Sequence, residues 1–219
     1  MFEQTSLQRA LPYYQQIQQT IKTRIFQGVY KPGDRLYEAQ IAKEFAISRS
    51  PVREAIRALV NEGLIIMDEK SQLSVYKPSL QDVRDIYECR VALESTAVAL
   101  ATERITGKDL AELEKVLEDT NEAIKRGEKE EIIKYNALFH ECIIDYSGNM
   151  RLKKMVDDLH SLTYYYRVLN MEGPDRASVI LKGHRDIFTA MKEKNPDEAA
   201  KKLTEHTQED LENLIKLIG

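Results

Sequence analysis

Beyond Pro78 the chain is cut by helix-breaking residues at near-regular intervals, at Gly107, Gly127, Gly148, Gly173-Pro174 and Asn195-Pro196. Each of the six segments between them is about 18 to 27 residues long, enough for several helical turns. Within them apolar residues recur three and four apart: Leu110, Leu113, Leu117 and Ile124 in one, Leu152, Val156, Leu159 and Leu162 in another. This spacing predicts six amphipathic helices packed by their stripes into an all-α bundle. No segment copies another, which argues against a solenoid of repeats.

The first 78 residues are punctuated differently. A stripe of Ile17, Ile21 and Ile25 ends at Gly28 and the Lys31-Pro32-Gly33-Asp34 turn, and a short second helix is expected over Glu38 to Phe45. Ser50-Pro51 then signals a third helix running to Asn61, because proline is tolerated in a first turn where its missing N–H has no partner to lose. Gly63 closes that helix. Leu64-Ile65-Ile66-Met67 and Leu73-Ser74-Val75-Tyr76 are β-prone runs joined by five polar residues, which reads as a hairpin. The expected fold is mainly α: a winged helix-turn-helix of three helices and a hairpin over residues 1–78, then an all-α six-helix domain over 79–219 for effector binding and dimerisation.

Composition excludes several classes. With 219 residues and 42% hydrophobic content the chain can build real cores. Its longest apolar run, Ala97 to Ala101, falls far short of the roughly 18 residues needed to span a bilayer. Met1 to Ala10 holds Glu3 and Arg9 and has no apolar stretch of signal-peptide length, so the expected location is cytoplasmic. Cys89 and Cys142 are read as small buried hydrophobes. The net charge of −4 conceals an asymmetry: 11 basic and 8 acidic residues up to Pro78, 21 and 28 after it. A basic head on an acidic body suits a protein that approaches DNA phosphates with one part only.

The second helix of a helix-turn-helix lies in the major groove with its N-terminal residues at the base edges. Here those residues are Ser48, Arg49, Ser50 and Arg53. Arginine can bond guanine O6 and N7 together, and small hydroxyls reach a phosphate or base without crowding. Val52, Ile56, Leu59 and Val60 take the opposite face, where they should pack on Ile41, Phe45 and the first helix.

In the bundle, His140 shares a stripe with Ile133, Asn136 and Ile144, His184 lies between Ile180 and Phe188, and His206 follows Leu203 by one turn. Three imidazoles from three helices in an apolar interior need partners, and a cation that collects their lone pairs supplies them. Arg90 also falls on a core stripe, with Ile86, Leu93, Ala97 and Leu100. A guanidinium there requires an anion, either Glu94 four residues on or the carboxylate of a small-molecule effector. His160 is read as structural.

Gly28-x-x-x-Pro32-Gly33-x-x-Leu36-x-Glu38-x-x-Ile41-Ala42, Ser48-Arg49-Ser50-Pro51-Val52-Arg53-Glu54-Ala55-Ile56-x-x-Leu59 and Glu62-Gly63-Leu64-Ile65 resemble the DNA-binding domain of the GntR family of bacterial transcriptional regulators. The resemblance implies base contacts by Arg49 and Arg53, backbone contacts by the neighbouring hydroxyls and a minor-groove wing. Many relatives carry glycine at the wing tip. Here the loop reads Glu69-Lys70-Ser71, leaving Lys70 as the wing donor and Arg35 as a phosphate contact.

Asp82-x-x-x-Ile86-Tyr87-x-x-Arg90-x-x-Leu93-Glu94, Asn136-x-x-Phe139-His140, Ser147-Gly148-Asn149, His184-x-x-Ile187 and Glu205-His206 are similar to the FCD ligand-binding domain of the FadR subfamily, whose shorter branch the six expected helices suggest. In many members an aspartate and three histidines bind a divalent metal ion, often zinc or nickel, and the effector's carboxylate completes the coordination. The implied set is Asn136, His140, His184 and His206, with Arg90 on the effector. Asparagine in place of aspartate removes one negative charge and leaves a neutral oxygen donor, so weaker or more selective metal binding is expected.

The expected protein is therefore a homodimeric repressor that reads a pseudo-palindromic double-stranded operator and responds to a small carboxylate metabolite. The alternative is a metal-dependent enzyme in the bundle with a DNA-tethering domain. Inward carboxylates near the histidines are scarce, and Glu94 is committed to Arg90, which leaves such an enzyme without a general base.

Overall fold

The computed structural model describes residues 11–173 and 175–219. Met1 to Ala10, on which the location was argued, and Pro174 of the Gly173-Pro174 breaker lie outside the described residues. The chain divides into two compact units, with Lys77 ending the first and Pro78 opening the second.

The first unit contains α1 (Tyr13–Phe26), β1 (Arg35–Leu36), α2 (Glu38–Glu44), α3 (Arg49–Asn61), β2 (Ile65–Met67) and β3 (Leu73–Val75). Its core forms where the apolar stripes meet: Ile17, Ile21 and Ile25 of α1 against Val52, Ala55, Ile56 and Leu59 of α3, all buried. The wing is a three-stranded sheet in the order β1-β3-β2, antiparallel throughout, with Arg35 opposite Ser74 and Ile65 opposite Val75. The short β1 segment adds one strand to the expected hairpin.

The second unit is all helical: α4 (Leu80–Arg104), α5 (Gly107–Arg126), α6 (Lys129–Tyr146), α7 (Met150–Asp157), α8 (His160–Asn170), α9 (Arg176–Lys192) and α10 (Pro196–Ile218). Side chains placed for the purpose start most of them. Ser79 accepts from the Asp82 N–H, Thr106 and Asp109 form a reciprocal capping box, Asn149 accepts from Arg151 and Leu152, and Asn195 accepts from Glu198 ahead of Pro196. Gly127 ends α5 at φ 69°, the left-handed conformation that glycine adopts without penalty. The long helices α4 and α10 pack along each other, and α10 also packs on α9.

The bundle holds seven helices where the breakers indicated six, which removes the ground for assigning it to a shorter branch. The segment after Gly148 is split at Asp158-Leu159, both in αR-type conformations that neither glycine nor proline announces. Beyond the split the buried positions are Ser161, Thr163, Tyr165, Tyr166, Arg167 and Asn170, while Leu162 is only half-buried. The apolar stripe of α7 therefore does not continue along α8, which turns a polar and aromatic face inward. Cys89 is exposed and Cys142 partly buried, both as free thiols, so neither is the fully buried hydrophobe expected. No helix among the described residues is long and apolar enough to cross a membrane.

Candidate functional site

The first unit presents one polar surface built by the start of α3 and the wing. Ser48 caps α3 in extended conformation, and its side chain makes no cap hydrogen bond. Arg49, Ser50 and Arg53 are exposed on the face opposite the buried Val52, Ile56 and Leu59. Arg53 lies 3.3 Å from the Glu38 carboxylate of α2, an exposed ion pair of the kind that is worth little and exchanges readily. Arg35 is similarly placed 3.6 Å from Asp68 in the wing turn. Asp68 organises that turn by accepting from the backbone N–H groups of Lys70 and Gln72 at 2.9 and 2.8 Å. Lys70 is exposed at the tip, and Ser71 beside it sits at φ 58°, a left-handed conformation that glycine would hold without strain. Arg35, Glu38, Arg53 and Gln72 together line an open cleft between α2, α3 and the wing.

The second unit encloses a cluster of histidines. His140 on α6, His184 on α9 and His206 on α10 each offer a ring nitrogen within 4.8 Å of the others. Nε2 of His140 and Nε2 of His184 are 3.3 Å apart. All three rings are buried, and burial holds each below the ordinary histidine pKa: His140 is lowered to about 4, despite the favourable field of Glu94. They are thus neutral, the form in which imidazole donates a lone pair. Nδ1 of His140 lies 2.7 Å from Oε2 of Glu94, so a carboxylate fixes that ring and directs its Nε2 toward His184. This is the outer-shell arrangement that tunes a metal-binding histidine. Asn136, one turn before His140, is buried with neither side-chain polar atom hydrogen-bonded. The donor set therefore fits a divalent cation: three neutral imidazoles converge, and Asn136, one helical turn before His140, keeps an unengaged amide oxygen.

Around this cluster are further buried charges. Arg90 donates from Nε to Oε1 of Glu94 at 2.8 Å, and its guanidinium carbon lies 4.6 Å from the centre of the Tyr87 ring. Its Nη1 and Nη2 have no hydrogen-bond partner among the described residues. Burial works against both charges of this pair, yet Arg90 and His140 hold the Glu94 carboxyl well below its usual range and Glu94 keeps Arg90 firmly protonated. On the other side of the histidines, Arg176 pairs with Asp210, whose second oxygen is 3.9 Å from Nε2 of His206. Arg167 on α8 is also buried, and its Nε lacks a partner. Burial and the neighbouring Arg90 both lower its pKa. Arg167 lines a small cleft with Glu94, His140 and Thr163, bordered by the exposed pair Glu141 and His160 at 3.1 Å.

The structure brings His140, His184, His206, Arg90 and Glu94 together, with Asn136 buried one turn before His140, and adds Arg167, Arg176 and Asp210, which the sequence did not single out. The signal for Arg167 was the polar series Thr163, Arg167 and Asn170, which keeps helical spacing, but the adjacent leucines suggested another face as the inner one.

A winged helix-turn-helix with outward arginines, joined in one chain to a helical domain with a polar, cation-competent interior, defines a DNA-binding transcriptional regulator. Comparison with known proteins gives the family. Residues 13–74 match the model of the bacterial regulatory proteins of the gntR family, and residues 85–209 match the FCD domain. The chain is 41% identical over 209 residues to the uncharacterized HTH-type transcriptional regulator YdhC of Bacillus subtilis (strain 168), covering 95% of this chain and 93% of that one. It is 30% identical over 201 residues to the HTH-type transcriptional regulator McbR of Escherichia coli (strain K12), covering 90% of each. A solved structure of E. coli McbR/YncC superposes with a TM-score of 0.79 at 27% identity, covering 96% of this chain and all of that one. This chain belongs to the GntR family of transcriptional regulators and carries an FCD domain.

Proposed function

We propose that this regulator is a homodimeric repressor of the FadR subfamily whose hold on a pseudo-palindromic operator is set by a small organic acid bound in the FCD domain. The outward placement of Arg49, Ser50 and Arg53, on a helix whose other face is sealed in the core, carries the reading. Arg49 and Arg53 address base edges, with Arg53 exchanging Glu38 for DNA. Ser48, Ser50, Arg35 and Lys70 address the phosphates. One recognition helix covers only a few base pairs, so a second copy about one DNA turn away supplies the remaining discrimination. A 27% identical relative, RspR of E. coli (strain K12), is named a transcriptional repressor, which supports that direction of control.

In the FCD domain, Asn136, His140, His184 and His206 would hold a divalent cation, zinc or nickel by donor type, and Arg90 would take the carboxylate of the acid. The cation would supply an electropositive anchor for that acid when bound. Glu94 orients His140 and neutralises Arg90 on one edge, leaving Nη1 and Nη2 of Arg90 for a ligand. An acid can control DNA binding only if it prefers one arrangement of the dimer over another.

The test uses an operator recovered by selection from random DNA. Arg49→Ala should weaken binding to it by about 1 to 3 kcal/mol and leave binding to unrelated DNA almost unchanged. Equal losses on both would mean that Arg49 reads no base. Alanine at both His140 and His184 should abolish stoichiometric zinc or nickel uptake, measured by mass spectrometry of the native protein, and retained metal would remove these ligands.

A further inference from the structure

The FCD interior carries more positive than negative charge. Among the described residues, Arg90, Arg167 and Arg176 are buried there, and the buried carboxylates are Glu94 and Asp210. Arg90 has Glu94, Arg176 has Asp210, and Arg167 forms no ion pair with a described residue. An isolated buried guanidinium is costly, and one kept for stability alone would be expected beside a carboxylate. Arg167 instead faces the cleft that leads to Glu94 and His140.

Two guanidinium groups in this region therefore have buried N–H groups without acceptors among the described residues: Nη1 and Nη2 of Arg90 on α4, and Nε of Arg167 on α8. They stand on different helices and repel each other, and each planar fork suits one carboxylate. A divalent cation on the three histidines would add two positive charges while the neutral Asn136 adds no counter-charge, which increases the demand for negative charge in the ligand. The cleft that Arg167 lines reaches His140 and Glu94, the partner of Arg90. Of the four acidic groups that line it, Glu94 is paired with Arg90, Glu141 with His160 and Asp145 with Lys153, which lessens their opposition to an entering anion, while the exposed Asp157 forms no ion pair among the described residues.

We propose that Arg167 is a specificity-determining residue of the effector site and that the acid bound there is a small dianion, such as a dicarboxylate, held at one end by Arg90 and at the other by Arg167. This rests on the effector reading above and adds to it a second anionic group and the residue that selects for it.

The experiment uses the full-length protein with Arg167→Gln and Arg167→Lys, and compares succinate with butyrate and glutarate with valerate at matched ionic strength. Without acid, Arg167→Gln should melt at or above the wild-type temperature, because it removes an uncompensated buried charge. Wild type should bind each dicarboxylate roughly tenfold or more tighter than its matched monocarboxylate, the worth of charge-assisted hydrogen bonds. Arg167→Gln should lose that preference and keep its monocarboxylate affinity, with Arg167→Lys intermediate. A clear fall in the melting temperature of Arg167→Gln would show that the residue is structural, and an unchanged preference in that variant would equally overturn the assignment. If wild type bound none of the four acids while remaining selective for its operator, the organic-acid reading itself would fail and this one with it.

Discussion

Gly183 lies inside α9 in helical conformation, where no turn calls for glycine. A Cβ at that position would stand 2.5 Å from Nδ1 of His206 and 3.2 Å from its Cγ. Glycine inside a helix costs about 0.5 to 1 kcal/mol relative to alanine, so its presence beside His184 is explained by the space that the His206 ring occupies. Gly183→Ala should therefore reverse the ordinary helix-propensity result and destabilise the protein by about 1 to 3 kcal/mol, as overpacking of a core does. Thermal melting checks the sign, and metal analysis of the same variant should show weakened uptake because His206 is displaced. The histidines also set a pH dependence, best read in protein stripped of metal by a chelator. His140 titrates near 4 when folded and near 6.5 when unfolded. Glu94 of α4 favours its charge, while burial and the guanidiniums of Arg167 on α8 and Arg90 on α4 oppose it; His184 on α9 and His206 on α10 are lowered in the same direction. Above pH 6.5 the ring is neutral in both states and full stability is present. As pH falls toward 4 the unfolded chain takes up a proton that the folded one refuses, so stability is lost, on the order of 3 kcal/mol for this group. Glu94, depressed in the folded state, adds a further loss as pH falls below about 4.5, the carboxylate value of the unfolded chain. Denaturant melts between pH 7 and 4 should follow this slope, and a flat profile would mean that the rings are not sealed from water.

At the scale of elements, α5 offers the cleanest test of local coding. Its capping box joins Thr106 and Asp109, and Thr106→Ala should cost about 0.5 to 2 kcal/mol in melting experiments with no effect on operator or metal binding. Most elements were legible in this way: α3 from Ser50-Pro51, α10 from Asn195-Pro196, and α4 from the break at Pro78, because each start depends on residues adjacent in sequence. The break between α7 and α8 was not. Asp158 and Leu159 keep near-helical angles, so the chain turns there for tertiary reasons: Leu152 of α7 seeks the apolar core while Thr163, Arg167 and Asn170 of α8 seek the polar interior. A reading that assigns the inner face by apolar spacing follows Leu159 and Leu162 and turns Arg167 outward. The histidines were found by the same rule because their helices also carry Ile133, Ile180 and Leu203 on the inner face. Apolar periodicity thus locates polar site residues that share a stripe with the core, and overlooks those on an element whose buried face is itself polar.

At the scale of the whole molecule, a winged helix-turn-helix and an FCD domain are joined in one chain, and thermodynamics ties a ligand of one to a ligand of the other whatever path connects them. If the acid changes operator affinity by some factor, operator DNA must change acid affinity by the same factor, because both describe one cycle of binding equilibria. Coupling of about 1 to 3 kcal/mol, roughly 5- to 150-fold, is the usual range. Titrating the acid into free protein and into the protein–operator complex should give two dissociation constants whose ratio equals the ratio of operator affinities with and without saturating acid. Removal of metal by a chelator should weaken the acid in both titrations if the cation anchors it, and should thereby reduce the apparent response of DNA binding at a fixed acid concentration. Arg49→Ala should lower operator affinity while leaving acid binding to free protein unchanged, since the substituted residue lies in the unit that does not hold the acid. An acid that binds tightly but with equal affinity in both titrations would be a passenger in the FCD domain, because a ligand without preference between two states cannot shift them.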